Sequence, residues 1–330
     1  MAASWDGRPR LQCALPLLFD LGDGSDGAVT VAANANFSAI AGVAADANGV
    51  YTLQCTTFTI NDGVTVTLDQ PYCLIRATGA VTLGGGVSGA ILGTGNGALG
   101  GSGDSSARSG SSGIGPGRGN GGGLTYSPGK GGGGAGARAA GTDGGTPGTT
   151  AGKGGTQTNW LTHFLTGDTL DILTGAGGGG GGGDGAAAGS AGGKGGAGLY
   201  IVAASIRIRV GFTWTSTGAV GGGPPTAHGG GGGGGAGGPV VCAALTIQID
   251  ATTGSVLVSL GGAGGAGGGT GTAGGAGSVG HVVLLWQRWY DVGGAKMDAT
   301  ALAARTDPDA QAYQFRSYRG TGTTPAFVVA

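Results

Sequence analysis

Glutamate is absent from this chain, and lysine occurs only at Lys130, Lys153, Lys194 and Lys296. Those two residue types cover the exposed faces of natural helices, while glycine costs about 1 kcal/mol relative to alanine inside one. With 86 glycines among 330 residues, a helical fold is excluded and extended structure with turns is expected. Charge is scarce as well: 16 Lys plus Arg face 17 Asp plus Glu, a net charge of −1. No basic stripe exists to neutralise phosphates, so nucleic acid is not the expected partner. Intrinsic disorder usually combines few hydrophobic residues with high net charge. Here hydrophobic residues make up 39% and charge is near zero, so the chain is expected to fold.

Other absences narrow the chemistry. No apolar run approaches the ~18 residues of a membrane span. The apolar run 13–19 contains Pro16 and is followed by Asp20, which does not make a signal peptide. Synthesis in the cytoplasm without membrane insertion is expected. Cys13, Cys55, Cys73 and Cys242 lack the CxxC spacing of zinc or redox sites. They read as buried apolar fillers, with a Cys55–Cys73 disulfide as the alternative. The three histidines, His163, His228 and His281, are far apart, and no nucleophile elbow, zinc-protease, P-loop or paired-carboxylate pattern stands out. The reading is therefore no enzyme and no cofactor, a polysaccharide depolymerase being the weakest option. Asp20, Asp23 and Asp26 lack the alternating ligands and distal Glu of an EF-hand loop, and are read as a tight turn before the first strand.

What the chain does have is organisation. Residues 1–27 form an N-terminal attachment segment. Residues 28–98 carry short β-branched runs around 58–60, 64–68, 73–76 and 80–83, separated by three or four residues. Such spacing suits a hairpin meander or the coils of a β-solenoid, and the solenoid is preferred because the strands lead into repeats. Within 99–285, apolar strand pairs starting at Leu199, Val240 and His281 are spaced 41 and 41 residues apart, and the first two lead into a glycine run. Equal spacing implies stacked rungs, each burying its apolar face on its neighbours. Residues 286–330 are aromatic and polar, include a helix-like stretch at 298–305, and read as a C-terminal cap or docking arm.

The glycine runs bounded by Gly177 and Gly183 and by Gly229 and Gly235 carry the architecture. Solvated linkers are the plain alternative. As polyproline-II-type helices of three residues per turn, seven residues span about 22 Å. Side by side and without side chains, such helices approach until the N–H of one meets the C=O of the next. Ordering glycine costs about 1–2 kcal/mol per residue or more. Many hydrogen bonds at about 0.5–1.5 kcal/mol each, from several tracts together, must offset it. The expected fold class is mostly β with polyglycine-II: short β-solenoid or sandwich rungs stacked with a glycine-rich helix bundle. Non-glycine segments would emerge as loops. The richest is 156–174, with Trp160, His163 and Phe164; others hold Tyr126 and His228. Exposed aromatics of this kind make hot spots on sugars or protein loops. These five residues are the receptor-binding candidates, whereas Trp214 is expected to pack.

The GDGSDG turn at 22–27, the rung pattern FTINDGVTVTLDQPYCLIRATGAVTLGGG at 58–86 and the strand and poly-Gly alternation over 199–285 resemble the glycine-rich tail-fibre and adhesin proteins of tailed bacteriophages. The likeness covers roughly residues 20–285. It implies a virion component, external on the tail, that meets other virion structural proteins and a host cell-surface protein or glycan, with homo-oligomers an open alternative. A decoration protein without receptor contact and an ice-binding protein are the competing readings.

Overall fold

The computed structural model describes residues 20–46, 49–84, 89–103, 113, 119, 131–136, 140–145, 152, 154–155, 174–182, 188–223, 228–250, 256–292, 295–296, 311–316 and 326–329. The fold is mostly β. Among the described residues the only helical element is a single 3-10 turn, Phe37–Ala39.

Two sheets face each other. The larger follows the path β1 (Ala28–Val31), β5 (Thr57–Ile60), β7 (Tyr72–Leu83), β9 (Gly198–Ile208), β11 (Val240–Ile249), β13 (Val282–Val292), β15 (Gln311–Arg316) and β16 (Ala326–Val329). Three short strands join it from the side: β3 (Ala44–Ala45), β4 (Tyr51–Cys55) and β14 (Ala295–Lys296). The smaller sheet runs β12 (Leu257–Val258), β10 (Thr213–Thr215), β8 (Ala90–Leu92), β6 (Thr65–Thr67) and β2 (Ala35–Asn36). From β5 to β13 the chain alternates strictly between the two sheets, and every pairing along these paths from β1 to β15 is parallel. That pairing rules out the hairpin meander, because a hairpin joins antiparallel neighbours.

Alternation of inward and outward residues makes the core. Leu53, Ile75, Ile201, Cys242 and Leu284 lie opposite one another across the larger sheet, and Val66, Ile91, Trp214 and Leu257 do so across the smaller. All nine are buried in one apolar cluster. Over β9 to β13 the outward residues Tyr200, Val241 and Val283 are buried too, so this half of the larger sheet is packed on both faces.

Two details depart from the sequence expectation. The runs 73–76 and 80–83 belong to one strand, β7, with a register shift between Ala77 and Ala80. There the Gly79 amide donates to the Thr56 carbonyl at 2.8 Å. A side chain on Gly79 would press on that same carbonyl, so glycine lets one strand serve both β4 and β5. The third repeat also begins one residue later than its spacing suggests: Val240 pairs with Leu199 and with Val282, offsets of 41 and 42. Because both faces of these strands are buried here, the register is set by the backbone pairing and not by the even spacing of the repeats.

Glycine tracts leave and re-enter this β part in order. Tracts 93–103, 216–223 and 259–268 follow β8, β10 and β12 of the smaller sheet, while 188–197, 228–238 and 271–280 precede β9, β11 and β13 of the larger. Two buried serines mark the junction. The Ser216 hydroxyl donates to the Ala197 carbonyl, and that of Ser259 donates to the Gly238 carbonyl at 2.6 Å. The helix-like stretch 298–305 lies outside the described residues.

Candidate functional site

The site is built on the 228–238 tract. From Gly230 to Gly238 each amide finds a carbonyl on a neighbouring tract at 2.8–3.1 Å, and the neighbours recur every third residue. Gly230, Gly233 and Ala236 donate to Gly182, Gly179 and Ala176; Gly231, Gly234 and Gly237 donate to Thr272, Gly275 and Ser278; Gly232, Gly235 and Gly238 donate to Gly222, Ala219 and Ser216. Carbonyls of the same tract accept from three further tracts, through Ser190, Gly193 and Gly196, through Gly132 and Ala135, and through Gly262 and Gly265. The tract thus has six neighbours, and from Gly230 to Ala236 every amide and carbonyl is paired without water. Glycine is demanded by this closeness: a methyl on Gly233 would overlap the Gly133 carbonyl, and one on Gly178 would overlap the Gly233 carbonyl.

Outer tracts obey the same period with side chains turned to solvent. Along 259–268 the exposed positions are Leu260, Ala263 and Ala266; along 271–280 Ala273 and Ala276 are exposed and Val279 is half-buried. Buried positions of these two tracts are Gly, Ser or Thr.

At the end far from the sheets the central tract begins with His228. Its amide donates to the Gly268 carbonyl at 2.9 Å, and its Nδ1 lies 2.6 Å from the Thr270 hydroxyl. His228 is exposed and has φ +88°, and among the described residues no other non-glycine residue has a positive φ. This left-handed conformation costs a residue with a Cβ of order 1 kcal/mol or more. At the end of tract 216–223, Gly222 and Gly223 are exposed, and among the described residues a Cβ on either would touch nothing closer than 3.2 Å. Ser190, which is 5% exposed, has a buried hydroxyl with no hydrogen-bond partner.

Of the sequence candidates, His228 is therefore placed at the outer end of the tracts. Tyr126, Trp160, His163 and Phe164 lie outside the described residues. The described residues flanking segment 156–173 sit toward the sheets, where the Gly155 amide donates to the Gly134 carbonyl and Gly175 donates to Gly196. Of the structural glycines, Gly177, Gly229 and Gly235 are buried, and Gly183 is outside the described residues. Sequence reasoning missed Ser190 and Thr270. Thr270 and Thr272 are the only residues other than Gly and Ala within 261–277, a signal that could have drawn attention to them.

The remaining polar groups are structural. Asp20 accepts from the Gly22 amide and Asp23 from the Ser25 amide, at 3.0 and 2.9 Å. The latter bond holds the Asp23 carboxyl below its usual range. Asp26 accepts from the Gln54 amide at 2.7 Å, so the turn ties itself to β4. Cys55, Cys73 and Cys242 are free, buried thiols. Burial pushes Cys55 up to about 11 and Cys242 up to about 12, and raises Cys73 as well. A Cys55–Cys73 bridge is ruled out by register: Cys73 faces Tyr51, and Cys55 faces Ala77. This offset of four residues is about 13 Å along the strands, far outside disulfide reach. Trp214 is fully buried in the core. No helix among the described residues is long and apolar enough to cross a membrane. No protein-family model matches the chain, and no curated protein or solved structure is similar to it.

Proposed function

We propose that this chain is a structural component of a tailed-phage virion, a tail fibre or tail-tip adhesin subunit that attaches to the host surface through the ends of a rigid glycine bundle. In this reading the tracts are polyglycine-II helices and the strands are coils of a short β-solenoid. The carrying observation is the three-residue recurrence of hydrogen bonds around the 228–238 tract, which matches the three residues per turn of that helix type. Its mechanical consequence suits an appendage. Cross-links between main chains fix loop positions without bulky side chains, so recognition residues are held on a stiff support.

Attachment is non-covalent and needs no catalytic group. Purified chain added to host cells before infection should compete with particles for their receptor and lower adsorption at least tenfold. Replacing segment 156–174 with Gly-Ser should abolish that competition if its aromatics make the contact. Adsorption unaffected by saturating chain would sink the adhesin assignment and favour a decoration protein, whose loss destabilises particles that still adsorb. The exposed alanine rows at 263 and 266 and at 273 and 276 keep an ice-binding reading in play, and absence of thermal hysteresis in the purified protein would remove it.

A further inference from the structure

We propose that the outward face of the smaller sheet is an ice-binding surface, its ligand the two-dimensional hydroxyl lattice of frozen water. The inference goes beyond the host-attachment reading and does not rest on it. It locates ice contact on strands, not on the alanine rows of the outer tracts.

Val66, Ile91, Trp214 and Leu257 point into the core, so the alternate positions of these strands face out. Strand pairing sets the outward residues in rows. Asn36, Thr67, Leu92, Thr215 and Val258 stand opposite one another on five successive strands, and Thr65, Ala90 and Thr213 do so on the middle three. A third row follows where the strands enter the tracts. There the Gly95 amide donates to the Thr217 carbonyl at 3.0 Å and the Gly218 amide to the Leu260 carbonyl at 2.9 Å, which brings Thr94, Thr217 and Leu260 abreast. Apart from Ala90, every residue of the three rows is exposed or half-buried.

No register shift interrupts these pairings, whereas the larger sheet shifts between Ala77 and Ala80 and between Ala244 and Thr246. Outward side chains of the smaller sheet therefore repeat about every 4.8 Å across the strands and about every 6.7 Å along them. Threonine is β-branched and stiff at χ1, so its methyl and hydroxyl keep to those repeats and lose little freedom when a ligand binds. A ligand that repeats in one direction can match one row. Engaging all the rows together takes a ligand that repeats in two, and faces of hexagonal ice do so at comparable intervals while offering both donors and acceptors.

Charge selects the same ligand. Segments 34–36, 64–67, 90–94, 213–217 and 256–260 contain no Lys, Arg or Asp, and neither do the adjoining stretches 85–88 and 251–255. The charged residues that flank these strands stand at the margins. Asp62 and Arg209 pair with each other at 2.8 Å, and Asp69 accepts from the Ser38 amide at 3.0 Å and from its hydroxyl. Lys194 is exposed on the tract whose carbonyl holds the Ala219 amide, beyond the third row. A face with no charge gives an ionic partner no hold, and it leaves Leu92 39% and Leu260 45% exposed against the needs of solubility. The larger sheet supplies the contrast. Its outward row Thr30, Thr59 and Thr82 runs into Arg207, which is exposed and paired with Asp250 at 2.7 Å.

The test grows ice slowly from a dilute solution of the full chain, measuring the share of protein taken into the ice and the thermal hysteresis of the same solution. Incorporation and hysteresis are expected, with an unrelated globular protein excluded from the ice. Thr94→Lys and Thr213→Lys, both at exposed positions, should each cut the hysteresis about fivefold or more without lowering the melting temperature. Thr30→Lys on the larger sheet and Ala273→Lys on an outer tract should leave it unchanged. Should a lysine variant fail to fold, Thr213→Ser and Thr215→Ser, which remove only the methyl, should still lower the hysteresis about twofold. Exclusion of the chain from ice, hysteresis unmoved by the substitutions at 94, 213 and 215, or hysteresis lost in A273K instead would overturn the proposal.

Discussion

In the β layers a residue is buried because its side chain fills space, whereas in the glycine tracts it is buried because it has none. Trp214, Phe58 and Leu284 stand between the sheets with no more than 1% exposure, and their stabilisation scales with the apolar area they remove from water. Gly231 to Gly235 are as deeply enclosed, yet what they bring together is amides and carbonyls. The first region tolerates exchange of one hydrophobic group for another of similar volume. The second tolerates no additional atom at its centre, and this difference is open to experiment.

The largest effect is expected at the centre of the tracts. Gly233→Val should cost more than about 4 kcal/mol or prevent folding, the range reserved for severe backbone and overpacking defects. A chemical-denaturation midpoint equal to the parent's would show that the tract is not enclosed. Trp214→Ala should cost about 3–5 kcal/mol, as large-to-small changes in a core do, and both sheets should loosen together in near-ultraviolet circular dichroism.

Protection from amide exchange tests the two regions side by side. Amides of residues 230–238 should exchange as slowly as those of β9 and β11; exchange at random-coil rates in the tract alone would leave the β layers intact and remove the scaffold.

The thiols sharpen the β side. Folded Cys55 and Cys242 titrate near 11 and 12 because they are buried, against an ordinary value of 9. Below about pH 9 the thiol is neutral in both folded and unfolded chains, and its contribution is fully present. As pH rises from 9 toward 11–12 only the unfolded chain ionises readily, so stability should fall. A urea midpoint at pH 10.5 no lower than that at pH 8 would contradict this burial. The smallest effect belongs to the outer rows: Ala263→Ser and Ala266→Ser should change stability by under about 0.5 kcal/mol, and a large loss would mean those positions are covered.

Legibility in the sequence followed the same division. The absence of helix was readable because glutamate is missing and glycine abounds; the strand at 58–60 was readable because alternation reports a sheet with one face inside, and those at 199–202 and 240–242 because short continuous apolar, β-branched runs bounded by glycine report strands covered on both faces. Parallel pairing was less accessible. Three-residue gaps such as 61–63 look the same whether the next strand returns beside the last or crosses to another sheet. Register at the third repeat was misread by one residue, since in a run as uniformly apolar as 282–285 the sequence does not mark which residue faces Val240. Of the candidate site, His228 could be named as a loop residue. Its strained backbone could not, because φ depends on how Gly268 and Thr270 meet it across forty residues. Ser190 was invisible in sequence: an unpartnered hydroxyl is a property of surroundings, which composition does not record.

One pairing also bears on how the chain reaches its final form. β7 and β9 lie edge to edge with Cys73 opposite Leu199, so two adjacent strands are separated by 126 positions of chain, much of it glycine. Closing so long a loop precedes any reward from the contact. During synthesis the strands before position 84 would wait, their apolar edge open, until position 208 has left the ribosome. Such a sheet is slow to complete and vulnerable to aggregation in the interval, so the yield of soluble product should depend on temperature and translation speed more steeply than the finished molecule's resistance to heat would suggest.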